Sequence, residues 1–211
     1  TRPTIGGTRP VIAAAAGNTV TLGSGNTVRG IEIGNTSGVA LIGSNFGTVT
    51  LGDNVINGSG QALSLNTGTL AQASAANAFD SITSTGGSNN IVLSAVGGMA
   101  NIGTGALSGA TGTSFQFSTG TATISYAGTL SKSTAGRLID IDGAGDATIT
   151  LSGDLNCSAS CGSGAGNQGI RINARNDGTY TFSGASKTFT GTSTNPALQF
   201  TSNTGASIAF T

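Results

Sequence analysis

Two apolar residues flanking a single other residue return along this chain at a near-regular interval, and that recurrence limits what the chain can become. The pattern is centred on GVALIG (39 to 41), QALSL (63 to 65), NNIVLS (91 to 93), SFQFS (115 to 117), LIDID (139 to 141), GIRIN (170 to 172) and ALQFT (198 to 200), with steps of 24, 28, 24, 24, 31 and 28 residues. A second segment of Thr-x-Thr type follows most of them: GTVTL, GTLAQ, GTATI, DATITL, GTYTF and GASIAF. Weaker third segments come after, at NVING (54 to 58), FDSIT (79 to 83), AGTLS (127 to 131) and KTFTG (187 to 191).

Each segment alternates over four to six residues, the period of a strand with one buried face. Gly, Asn, Ser and Asp separate the segments and supply the turn conformations that tight corners need. No stretch carries a sustained helical period. A β-sandwich needs no fixed internal repeat, whereas a coil that stacks on itself does. The expected fold is therefore all-β, a single-stranded right-handed parallel β-helix of about seven coils of 24 to 31 residues. Its hand is that of nearly all parallel crossovers, and its length is roughly 34 Å at the spacing of adjacent strands. Residues 17–211 form the β-helix, an uncapped segment of a longer rod or filament, and residues 1–16 form an N-terminal extension or edge segment.

The register predicts two inward ladders. One runs Leu41, Leu65, Leu93, Phe117, Ile141, Ile172, Phe200, and the other Val39, Leu63, Ile91, Phe115, Ile139, Ile170, Leu198. The outward row beside them reads Ala40, Ser64, Val92, Gln116, Asp140, Arg171, Gln199, so Asp140 meets Arg171 of the next coil as an exposed pair. A second outward row runs Ser94, Ser118, Asp142, Asn173, Thr201.

Composition narrows the function. The chain has 211 residues, 36 Gly, 8% charged residues, 5% aromatic residues, no His and zero net charge. Eight scattered basic groups cannot neutralise a phosphate backbone, which excludes nucleic acid as a partner. The longest apolar stretch, VIAAAA (11 to 16), is far short of the roughly 20 residues that span a bilayer, so no membrane-spanning segment is expected. Cys157 and Cys161, with no histidine, cannot make a four-ligand zinc site, and their spacing is not that of C-x-x-C redox motifs. A small disulfide pinning a loop in an oxidising compartment fits them.

NTVRGIEIG (26 to 34), followed by GVALIG, FGTVTLGDNVINGSG and QALSL, resembles the right-handed parallel β-helix repeats of pectate-lyase-like proteins. GTYTFSG (178 to 184) and SNTGASIAF (202 to 210) are closer in character to secreted bacterial surface proteins and autotransporter passenger regions. The resemblance covers the chain from about residue 17 and implies fold more than function, since this repeat carries lyases, hydrolases, adhesins and structural rods.

Chemistry was sought in RLIDIDGAGDATITL (137 to 151), which holds three of the eight acidic residues. The hydrolases of this fold resemble one another in three aspartates with Gly-His-Gly and Arg-x-Lys; this chain has no histidine, and its nearest basic match is Arg171-Ile-Asn173. A lyase reading casts Asp140 and Asp142 as calcium ligands with Arg137 or Arg171 as base. Counted as an EF-hand-type loop from Asp140, the fifth position is Ala144 and the twelfth Leu151, which departs from that ligand pattern. Asp140, Asp142 and Asp146 together remain a candidate calcium site, calcium being the one cofactor considered. The pairs Thr48/Thr50, Thr121/Thr123, Thr148/Thr150 and Thr179/Thr181 place hydroxyls outward, the pattern of an ice-binding face, although Thr suits the outside of any strand. The last residues, SIAFT, end on a strand without a cap. The expectation is a non-catalytic, extracellular bacterial surface or filament-forming solenoid, with no catalytic residues. Its partners are other copies stacked end to end, other surface proteins or glycans. A polysaccharide-acting lyase or hydrolase and an ice-binding solenoid are the alternatives.

Overall fold

A computed structural model describes residues 8–73, 77–164, 166–191 and 194–211. The chain is a parallel β-solenoid of about eight turns, built from strands and turns with no helix among the described residues. The first turn comprises β2 (Val20–Leu22), β3 (Thr27–Arg29) and β4 (Glu32–Ile33). β5 (Val39–Gly52) with β6 (Asn54–Gly58), β7 (Gln61–Gln72) with β8 (Phe79–Ser84), and β9 (Ile91–Thr104) with β10 (Ala106–Leu107) make the next three. The later turns split into three short strands: β11 (Phe115–Ser118), β12 (Thr123–Tyr126) and β13 (Thr129–Lys132); β14 (Ile139–Asp142), β15 (Thr148–Leu151) and β16 (Leu155–Cys157); β17 (Ile170–Asn173), β18 (Thr179–Phe182) and β19 (Lys187–Phe189). β20 (Leu198–Thr201) and β21 (Ser207–Phe210) make the eighth. β1 (Val11–Ile12), within the expected extension, pairs in parallel with β4; residues 1–7 of that extension lie outside the described residues.

The turn missing from the expected seven is the first. Its strands are only two or three residues long: VTL keeps the apolar-x-apolar form but lies before the first recurrence counted, with Val20 opposite Leu41 and, in TVR, Val28 opposite Leu51.

From β7 onward the predicted ladders hold residue for residue. Leu63, Ile91, Phe115, Ile139, Ile170 and Leu198 stack in one row, and Leu65, Leu93, Phe117, Ile141, Ile172 and Phe200 in the other. The β5 register differs by two residues. Leu41 lies opposite Leu63, Gly43 opposite Leu65 and Val39 opposite Gln61. The cause is Phe46, fully buried at the corner. A Cβ on Gly43 would meet its ring at 3.1 Å and one on Gly68 would meet it at 2.5 Å. The ring takes the space that two ladder side chains would fill, and the strand is bulged between Ser44 and Gly47.

One backbone device repeats at the corner after the first strand. Asn45, Thr67, Ala95, Thr119, Ala174 and Ser202 all have φ between 50° and 56°, and Gly143 takes the seventh place at 75°. Each directly follows the outward row Ser44, Asn66, Ser94, Ser118, Asp142, Asn173, Thr201. A single left-handed residue reverses the alternation, so the next side chain turns inward, as Phe46, Val96 and Arg175 do with 0% exposure. A side chain in this region costs about 1 to 2 kcal/mol, which glycine avoids.

Two outcomes follow for urea unfolding. Ile141→Ala, in the middle of an inward ladder, lowers stability by about 2 to 5 kcal/mol. Ala95→Gly relieves the corner and leaves stability unchanged or raised by up to about 1 kcal/mol, whereas Ala100→Gly, inside a strand, lowers it.

Candidate functional site

The most densely furnished polar patch lies on the outward face of β14 and β17. Because the strands are parallel and in register, Asp140 stands opposite Arg171 and Asp142 opposite Asn173, as the repeat predicts. Arg171 grips Asp140 with two hydrogen bonds, Nε to Oδ1 at 2.7 Å and Nη2 to Oδ2 at 3.1 Å. The same Nη2 donates to Oδ2 of Asp142 at 2.6 Å. Asn173 Nδ2 and the Gly143 N–H each donate to Asp142 Oδ1 at 2.8 Å, and Thr201 passes a hydrogen bond on to Asn173 at 2.6 Å. The chain of bonds thus runs across three successive turns.

The Asp140–Arg171 pair is not the exposed pair that alternation alone predicts: the Asp140 side chain is 7% exposed. Arg137, three residues earlier, lies within 3.4 Å of the same carboxylate. Its guanidinium is held by the Gln168 side chain at 3.2 Å and the Gly166 carbonyl at 2.6 Å. The corner segment that follows the cysteines therefore covers the pair, and nothing in the strand alternation announces that cover. A covered, bidentate ion pair is a tighter tie than a solvated one, because water competes less for it.

Electrostatics follow the contacts. Burial pulls the Asp142 carboxyl upward, but the hydrogen bonds from Asn173 and Gly143 and the charge of Arg171 outweigh it and hold the group below its usual value. The hydrogen bond to Asp140 is the largest influence on Arg171 and raises its pKa. Desolvation lowers that of Arg137.

The three aspartates do not converge on one point. Asp146 is exposed and bonds to neither of the others. The backbone oxygens that could join a cation at this corner already face one: Arg175 Nη1 donates to the carbonyls of Asp142 at 3.3 Å and Gly143 at 2.5 Å. Its Nη2 reaches the Gly120 carbonyl at 3.4 Å, its Nε donates to the Tyr180 hydroxyl at 2.6 Å, and its guanidinium lies over the Phe117 and Tyr180 rings. Among the described residues, no group of three Cys, Asp or Glu side chains is placed to hold a metal ion. Sequence reasoning missed Arg175, which strand alternation puts on the outside; the left-handed Ala174 turns it in.

The threonine pairs form short columns, and the Thr121/Thr123 pair is out of register by two residues. Thr123, Thr148, Thr179 and Ser207 align, as do Ser125, Thr150, Thr181 and Ala209. Thr48 and Thr50 align instead with Thr69 and Ala71. Thr123 lies opposite the exposed Met99, so the threonine column stops there, and Thr121 precedes its strand. Cys157 and Cys161 are joined by a disulfide, consistent with an oxidising compartment. No helix among the described residues is long and apolar enough to cross a membrane.

Replacing Asp140 by Ala leaves two guanidinium groups facing each other and lowers stability by about 1.5 to 3 kcal/mol, read by urea unfolding. The depressed Asp142 carboxyl contributes stability that is complete above the ordinary carboxylate range and is lost as pH falls through its lowered value. Thermal midpoints between neutral pH and strong acid therefore fall less steeply in Asp142→Asn than in the unmodified chain.

Comparison with protein-family models, curated proteins and solved structures finds no match to this chain.

Proposed function

We propose that this chain is a non-catalytic structural solenoid of the extracellular or cell-surface class, akin in character to bacterial surface and passenger-type β-helices. The observation that carries this reading is the use made of its charged side chains. In the patch where an acid, a base or a metal ligand is most readily cast, Arg137, Asp140, Arg171, Asp142 and Asn173 are bound to one another across successive turns. Groups spent in this way tie coils together. Short corners, small outward residues and aliphatic ladders then make a stiff rod whose surface is neutral and rich in hydroxyls.

The eighth turn keeps the apolar rows but covers them less. Leu198, Phe200 and Phe210 continue ladders whose earlier members are buried, yet are themselves 39%, 41% and 38% exposed. Phe210 stacks on Phe182 at 4.7 Å and has Phe200 beside it at 6.1 Å. In the end-to-end version of the proposal another copy covers these rings, with glycans or other surface proteins as lateral partners.

Electron microscopy and sedimentation of the purified chain test this. The expected result is rods longer than one molecule, and Phe200→Asp with Phe210→Asp abolishes them while the β-sheet circular dichroism persists. A monodisperse monomer at high concentration counts against end-to-end assembly. Turnover of acidic polysaccharides that is lost in Asp140→Asn or Asp142→Asn counts against the non-catalytic reading.

A further inference from the structure

The third strand carries a charged side chain where stacking calls for an apolar one. After Leu130 and Leu155, the next inward position pairs Lys132 of β13 with Cys157 of β16, and Cys157 with Phe189 of β19. Neighbouring strands lie about 4.8 Å apart and same-face side chains stack between them, so Lys132 and Cys157 share the interior. They are 2% and 3% exposed. The Lys132 ammonium donates to the Ala110 carbonyl at 2.6 Å and the Thr134 hydroxyl at 2.9 Å, both neutral. Among the described residues it forms no ion pair. Burial without a counter-charge pushes its pKa down to about 8.

A cavity of about 170 Å³ reaches the disulfide. Both cysteines line it together with Phe189, Gly162, Gly169 and Gly191, and the three glycines offer no side chain to shield the sulfurs. The two observations are independent: one supplies a route to the bond, the other a buried cation without a counter-charge in the turn next to that of Cys157.

We propose that Cys157–Cys161 is a site of thiol–disulfide exchange, entered from this cavity by a small dithiol, with Lys132 as the positioning residue that stabilises Cys157 as the leaving thiolate. One thiolate of the dithiol attacks Cys161 Sγ, and the Cys157–Cys161 bond breaks with its electron pair left on Cys157, which follows Lys132 in the stack. The second thiol of the reductant then attacks its own sulfur in the mixed disulfide. Cys161 leaves with that thiol's proton, and the dithiol ends as a disulfide, having passed two electrons to the protein. A thiol of lowered pKa leaves faster and makes its disulfide easier to reduce.

The test equilibrates the full chain with buffers of set reduced-to-oxidised dithiothreitol ratio. Free thiols are trapped by alkylation and counted by mass, while far-ultraviolet circular dichroism follows the sheet. Two thiols appear with the sheet signal unchanged. Lys132→Met makes the bond about tenfold harder to reduce, a shift of about 30 mV, and Lys132→Arg restores the original midpoint. A bond that resists reduction until the sheet signal collapses overturns the proposal, as does an equal midpoint in Lys132→Met. If the Met variant does not fold, the reduced unmodified chain decides. The pH profile of Cys157 alkylation has its midpoint below the ordinary thiol value of about 8.5, and a midpoint at or above that value overturns the proposal.

Discussion

The rest of this structure depends on parallel, in-register stacking: every residue is followed, one turn later, by a residue doing the same geometric job. A strand in such a stack has no freedom to drift, because a one-residue slip exchanges the inside for the outside. The corner row shows how strictly this holds. Asn45, Thr67, Ala95, Thr119, Ala174 and Ser202 differ in chemistry, yet all adopt the left-handed conformation at one place in the turn. The strain at each is offset by continuous hydrogen bonding: the Thr119 N–H reaches the Asp142 carbonyl at 2.9 Å and the Ala174 N–H that of Thr201 at 3.0 Å. A stack can carry strained residues at a repeating position because every neighbouring turn holds the same shape.

The same constraint governs the charges. In a thin rod many side chains contact the turns on either side, so a polar group can tie one turn to the next. Asp140 with Arg171 on the outside and Arg175 on the inside both act in this way, the first through a carboxylate and the second through carbonyls and aromatic faces. Arg175 does for its corner what a bound cation does elsewhere: it gathers backbone oxygens from different turns around one positive centre. Its planar fork lets several carbonyls be satisfied at once, a geometry that lysine lacks. Lys132, the other buried cation among the described residues, is held there by two neutral oxygens.

What was legible in the sequence, and what was not, divides along the same line. The repeat revealed the solenoid, the inward ladders from Leu63 to Phe200 and the Asp140–Arg171 neighbourhood, because those follow from alternation and period alone. It misplaced Leu41 by two residues because GVALIG offers three possible inward positions, and the choice among them belongs to Phe46, whose ring occupies the space left by two glycines. The first turn escapes the count although its VTL carries the signature, because its strands are only two or three residues long. Arg175 went unnoticed because its inward turn depends on the φ of Ala174, and alanine carries no mark of a left-handed corner. The repeat set Thr148 and Thr150 against Thr179 and Thr181 correctly, but placed Thr121 and Thr123 two residues out of step, because the strand of that turn starts at Thr123.

These misreadings share a physical origin that also bears on assembly. Alternation reports which face of a strand is buried, but the corners decide which residue begins each strand, and corners are set by packing between turns. The stability of such a rod is close to a sum of turn–turn interfaces. An interior turn is buttressed on two sides, and the eighth is buttressed on one. Its Leu198 and Phe200 therefore repeat the chemistry of Ile170 and Ile172 without the cover that those residues have. A neighbouring coil in the same register would add one more interface of the kind already present seven times, with backbone bonds and an apolar row meeting together. The property that makes the fold stable is thus also the one by which a further coil in register would extend it without new chemistry.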